Sequence, residues 1–119
     1  MVGRAPSYVP SQGDVVWCSF DPQAGHEQAG RRPAVVLSPA PYNRRVGLAL
    51  VCPITSRAKG YPFEIPLPPG FAVSGVVLVD QLRSVDWRAR QTEYILTLPS
   101  ELVSRIGDRI ASLLPFAHS

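Results

Sequence analysis

The chain has 119 residues and a mass of 13.0 kDa, which suits a single domain over residues 1–119 and leaves too little material for a second core. Hydrophobic residues make up 45%, enough to bury a core without disulfide staples, and twelve basic against nine acidic side chains give a net charge of +3. The uncharged runs over residues 46–56 and 65–79 are eleven and fifteen residues long, short of the ~20 that cross a bilayer, and no apolar stretch follows Arg4, so neither a membrane segment nor a secretory leader is expected and residence in the cytoplasm is.

Thirteen prolines and nine glycines break the chain into short pieces, an all-β texture until the C-terminal end. Asp14–Phe20 is rich in β-branched and aromatic residues and stops at Asp21-Pro22, which predicts a strand and a turn. Residues 22–32 are polar and contain two glycines; they predict an exposed, mobile loop carrying Glu27 and the adjacent Arg31 and Arg32. The nearly continuous apolar run at 33–38 predicts a strand buried on both faces, terminated by Pro39-Ala40-Pro41. Further strands are predicted at 46–53, at 63–67 with apolar residues at alternate positions, at 75–82 and at 94–97. Five or six strands so spaced predict a small barrel or two packed sheets. Over 99–114 the period changes: Leu102, Ile106, Ile110 and Leu114 recur at every fourth position, an amphipathic helix begun by Pro99 and Glu101 and stopped by Pro115.

Several chemistries are absent from this pattern. No glycine loop of the GxxxxGK[ST] or GxGxxG kind, no His-Glu-x-x-His and no nucleophile elbow occurs. Cys18 and Cys52 lie inside apolar strands, where reduced buried thiols are expected. His26 and His118 have no zinc spacing to either, so no metal is expected. Two polar segments remain, the Glu27/Arg31-Arg32 loop and Thr55-Ser56-Arg57-Ala58-Lys59-Gly60 directly after a buried strand. Strand ends of this sort are where a small barrel displays functional groups, although such charges also occur merely solvated. Eleven of the twelve basic residues are arginine, whose planar fork suits phosphate and carboxylate.

Five stretches carry a resemblance: 8–14, Phe20-Asp21-Pro22, 27–38 around Gly30-Arg31-Arg32-Pro33, Lys59-Gly60-Tyr61-Pro62-Phe63-Glu64, and 80–90 from Asp80-Gln81 to Arg90. In this order they resemble the MazF/PemK toxin endoribonucleases of bacterial toxin–antitoxin pairs, in register from about Tyr8 to the final helix. The resemblance implies a mainly β fold, a small SH3-like (CcdB/PemK-type) barrel of five to six strands with a C-terminal α-helix. It also implies a homodimer that cuts single-stranded RNA at specific sequences with neither metal nor cofactor, and a MazE-like antitoxin with an acidic C-terminal tail. The family's catalytic arginine and threonine fall on Arg32 and Thr55, and its loop glutamate on Glu27. Phe20 and Gln81 fall where relatives contact RNA bases. Asp80, Arg31, Ser56, Lys59 and Arg83 join them as candidate RNA contacts, with Arg88 and Arg90 as further cations for phosphate.

RNA cleavage without a metal uses the neighbouring 2′-hydroxyl as nucleophile, so the protein must assist its deprotonation, stabilise the phosphorane and protonate the departing 5′-oxygen. Arg32 suits the phosphorane, because a guanidinium forks onto two phosphate oxygens and stays charged. Glu27 suits a base or an orienting partner, and Thr55 a hydroxyl that holds the scissile phosphate. A CcdB-like inhibitor of DNA gyrase, which does no chemistry, is the alternative on the same fold, and a catalytically silent RNA-binding module is a third. Neither of these gives Arg32 and Thr55 a catalytic purpose.

Overall fold

The computed structural model describes residues 8–20 and 30–116. Its elements follow from the apolar runs. β1 (Asp14–Phe20) and β2 (Gly30–Val36) pair antiparallel, with Val15 opposite Val35 and Phe20 opposite Gly30. β3 (Leu48–Thr55) pairs with β2, and β4 (Glu64–Pro66) with β5 (Val76–Leu78). β6 (Arg83–Asp86) lies against the first half of β3 and β5 against its last residues, while β7 (Glu93–Thr97) lies on the outer side of β1. All these pairings are antiparallel, in the order β4-β5-β3-β2-β1-β7 with β6 branching from β3.

Side chains alternate across each strand, and both faces of this sheet are covered. One face buries Val15, Val35, Cys52, Ile54, Ile65 and Val77 against Leu102 and Ile106 of α2 (Ser100–Leu113). The other buries Val16, Cys18, Phe20, Ala34, Val36, Val51, Val85 and Trp87. Two covered faces explain why β2 and β3 read as unbroken apolar runs rather than alternating ones. Pro99 precedes the first residue of α2 and Glu101 lies in its first turn, as the sequence predicts.

Four features depart from the sequence reading. Among the described residues the strands number seven, not five or six, and no pairing joins β4 to β7, so the sheet is an open barrel-like sheet and not a closed barrel. β6 is the added strand: Arg83-Ser84-Val85-Asp86 buries only Val85, too weak an apolar signal to read. Pro39-Ala40-Pro41 does not simply end a strand; it opens a short helix, α1 (Ala40–Val46), with proline in the first turn where its missing N–H is harmless. Arg31 and Arg32 are in β2 rather than in a loop.

Candidate functional site

The first catalytic candidates meet just past the end of a strand ladder. Ala34 on β2 stands opposite Pro53 on β3. The ladder between the two strands stops at that pair; two residues beyond it on each strand come Arg32 and Thr55, which line one groove. Arg31, one residue earlier, leaves β2 on the other face. There its guanidinium donates to Ser19 Oγ at 3.0 Å and to the Gln91 carbonyl at 2.9 Å, and pairs with Glu93 at 2.6 Å. The two adjacent arginines therefore leave β2 in opposite directions, although both border one groove at the end of the strand.

Thr55 is buried, and its Oγ1 accepts the Arg57 N–H at 3.2 Å. This local bond fixes the hydroxyl oxygen while its own proton stays available to an acceptor. A glycine makes the position possible. Gly75 adopts φ 119°, and a Cβ there would collide with the Thr55 carbonyl, so only glycine lets the chain before β5 lie so close.

Two grooves meet at Thr55. One, of about 390 Å³, has Arg31, Arg32, Thr55 and Ser56 on its walls beside Trp17 and Pro33. The other, of about 240 Å³, is walled by Thr55, Arg57, Lys59, Tyr61, Glu64, Leu78, Asp80 and Gln81. Asp80 and Gln81 reach it from the 3-10 turn Val79–Gln81 that follows β5. The fold thus gathers Arg31, Arg32, Ser56, Lys59, Asp80 and Gln81 around Thr55, although they come from three separate stretches of sequence.

Phe20 and Arg83 form a separate contact, the guanidinium carbon 5.3 Å from the ring centroid, a cation–π arrangement. Only 3% of Phe20 is exposed and it packs in the second core cluster, which leaves a base little ring surface to stack on. Glu27 lies outside the described residues. Arg88 stands over Trp87 at 5.0 Å, at the far end of the sheet from Thr55.

Glu64, Arg57 and Tyr61 are wall residues that the sequence reading quoted in motifs but did not assign. Glu64 accepts the N–H groups of Lys59 and Gly60 at 2.9–3.0 Å. A carboxylate a few residues after a Lys-Gly turn was the available signal. Burial pushes the Cys18 thiol up to about 11, against the opposing charges of Arg90, Arg31 and Arg83, and the Cys52 thiol up to about 12. Both are inert core groups. Among the described residues, no three His, Cys, Asp or Glu side chains cluster as a metal site would need, and no helix is long and apolar enough to cross a membrane.

Residues 11–114 match the family model described as PemK-like, MazF-like toxin of type II toxin-antitoxin system. The chain belongs to this family. It is 52% identical over 114 residues to the endoribonuclease toxin MazF of Escherichia coli K12, covering 96% of this chain and 99% of that one. It is 35% identical to the Escherichia coli endoribonuclease PemK over 87% of this chain and 80% of that one. Among solved structures, MazF from Deinococcus radiodurans superposes with a TM-score of 0.88 at 55% identity, covering 92% of this chain and all of that one. A MazE-MazF complex from the same organism superposes at 0.84 with 54% identity, covering 93% of this chain and all of that one. The open sheet with its C-terminal helix is thus part of the fold this chain shares with these solved structures.

Proposed function

We propose that this chain is an endoribonuclease toxin that cuts single-stranded RNA at a specific sequence, by internal attack of the ribose 2′-hydroxyl and without a metal. The observation that carries the reading is that Arg32 and Thr55, just past the end of the β2/β3 ladder, line one groove, with a second groove meeting it at Thr55. Relatives called endoribonuclease, at up to 52% identity over almost the whole chain, support it.

In this mechanism the 2′-oxygen forms a bond to phosphorus as its proton leaves to a base, and the bond from phosphorus to the 5′-oxygen breaks as that oxygen gains a proton. The products are a 2′,3′-cyclic phosphate, or the 3′-phosphate after its hydrolysis, and a 5′-hydroxyl. Arg32 spreads its positive charge over the phosphorane oxygens, where charge develops, and is the group placed to deliver the proton to the leaving oxygen. Arginine holds its proton to a pKa above ~12, so its acid role needs the developing negative charge of the leaving group beside it. Thr55 donates its hydroxyl to a non-bridging oxygen. Glu27 is the proposed base or the group that orients Arg32.

Gln81, Asp80, Lys59 and Ser56 contact the strand on either side of the scissile phosphate, with Arg31, Arg83 and Phe20 as outer contacts. The working unit is a homodimer. Its neutraliser is a MazE-like antitoxin whose acidic tail competes with RNA for the basic groove, in line with the MazE-MazF complex of the similar Deinococcus protein. The test is digestion of a long single-stranded RNA in EDTA beside an Arg32→Ala control, with product ends identified by mass. Cuts at a recurrent short sequence with cyclic-phosphate and 5′-hydroxyl ends, made only by the unaltered protein, are the expected result. Intact RNA across a diverse pool refutes the reading.

A further inference from the structure

Glu64 makes an unusual use of a carboxylate. It is the first residue of β4 and stands opposite Leu78 on β5, so its side chain shares the face that carries the second groove. Both carboxylate oxygens accept the Lys59 N–H at 3.0 Å, and one also accepts the Gly60 N–H at 2.9 Å. Gly60 has φ 84°. Successive N–H groups around a left-handed residue form a concave nest for an anion, and here the protein's own carboxylate fills it.

The consequence reaches the substrate wall. The segment from Thr55 to Glu64 is tied down at its start by the Arg57 N–H on Thr55 Oγ1 and at its end by Glu64. Between these ties lie Lys59 and Tyr61, which form one side of the groove opposite Asp80 and Gln81. Tyr61 and Lys59 are both exposed, so packing does little to hold this stretch. Hydrogen bonds from backbone amides to an ionised acceptor are roughly twice as strong as neutral ones. They restrain this wall together with the Glu64 N–H on the Tyr61 carbonyl and the Arg109 guanidinium on the Pro62 carbonyl.

We infer that Glu64 is a positioning residue: its carboxylate fixes the 57–61 wall of the groove, and through that wall it sets RNA affinity and the choice of cleavage sequence. The inference rests on the nuclease reading above and adds a residue and a role to it. Because Glu64 holds the wall and does not touch the reacting phosphate, its loss acts on binding and selectivity more than on the chemical step.

The experiment compares Glu64→Ala and Glu64→Gln with the unaltered protein on two RNA oligonucleotides, one containing the mapped cleavage sequence and one with a single base changed. Thermal melting is recorded for each protein. For Glu64→Ala we expect kcat/KM on the preferred oligonucleotide to fall by about tenfold to a hundredfold, chiefly through KM, and discrimination between the two oligonucleotides to shrink. Glu64→Gln keeps an oxygen acceptor without the charge and should fall between the two, which also covers the case in which Glu64→Ala does not fold. Unchanged discrimination with kcat/KM within about twofold overturns the inference. So does an equal loss on both oligonucleotides that matches a lost folded fraction, since that is a purely structural effect. If the unaltered protein cuts neither RNA, the nuclease reading itself has failed, which is a separate and recognisable result.

Discussion

Two polar clusters occupy opposite ends of the same sheet, and they differ in what they leave unfinished. At the end where β1 begins, the buried Asp14 accepts the Tyr8 hydroxyl at 2.5 Å and the Ser11 N–H at 3.0 Å on one oxygen, and the Thr97 hydroxyl at 3.0 Å on the other. Tyr94 bonds Thr97 at 2.9 Å and meets the Tyr8 ring edge-on at 5.9 Å. Burial, then the hydrogen bond and charge of Asp14, drive the Tyr8 phenol well above its ordinary pKa. At the end where β3 finishes, Thr55 has one local bond and opens onto two grooves. A cluster whose polar groups complete one another stabilises the fold, whereas one that faces open grooves has hydrogen-bonding capacity left for a ligand.

That contrast predicts opposite outcomes for substitutions of similar size. Arg32→Ala should have the largest effect, lowering RNA cleavage by about a thousandfold or more while leaving the melting temperature nearly unchanged; single-turnover assays and melting curves measure both. Asp14→Ala should do the reverse. It strips three hydrogen bonds from a buried site and should lower stability by about 3 kcal/mol, with the cleavage rate per folded molecule unaltered. Urea titration and activity at matched folded fraction would reveal a breach of the contrast if activity fell further than folding. Thr55→Ala should reduce cleavage by about tenfold to a hundredfold, and Thr55→Ser should restore much of it by returning the hydroxyl.

Smaller effects sharpen the picture at the core and on the far face. The folded thiols of Cys18 and Cys52 titrate at about 11 and about 12, above the ordinary 9.0. Their neutral forms are favoured in the fold, so their contribution is whole below about pH 9 and declines as pH rises towards the folded values. Urea melts across that window should show stability falling, and replacing both cysteines by alanine should flatten the decline. Arg31→Ala should change stability by less than about 1 kcal/mol, since the pairing Glu93 is 71% exposed. Its cleavage should fall far less than that of Arg32→Ala. Equal losses for the two arginines would show that the sheet does not divide their roles.

The sequence made some of this legible and hid the rest for identifiable reasons. β1, β3 and α2 announce themselves, because runs of β-branched residues and a four-residue apolar repeat each match one kind of element. α1 is hidden by Pro39 and Pro41, which signal a break although the first helical turn accepts proline. The polar start of β2, Gly30-Arg31-Arg32, reads as loop because its strand character comes from pairing with Ser19 and Cys18 rather than from its own residues. The separation of Arg31 from Arg32 depends on that assignment and could not be seen without it. Arg32 and Thr55 stand out by resemblance, and the antiparallel pairing of β2 with β3 explains why residues so far apart in sequence line one groove. Glu64 was overlooked because its partners are backbone amides, which no side-chain pattern reveals.

The central claim is that Arg32 and Thr55 act on one phosphate as a unit. The most direct measurement is the single-turnover cleavage rate of Arg32→Ala, Thr55→Ala and the double variant on one RNA oligonucleotide. If the two side chains work on the same transition state, the double variant should cleave little more slowly than Arg32→Ala alone, because groups that act together lose their effects non-additively. Rate losses that multiply would contradict the account and return Thr55 to a structural role at the end of β3.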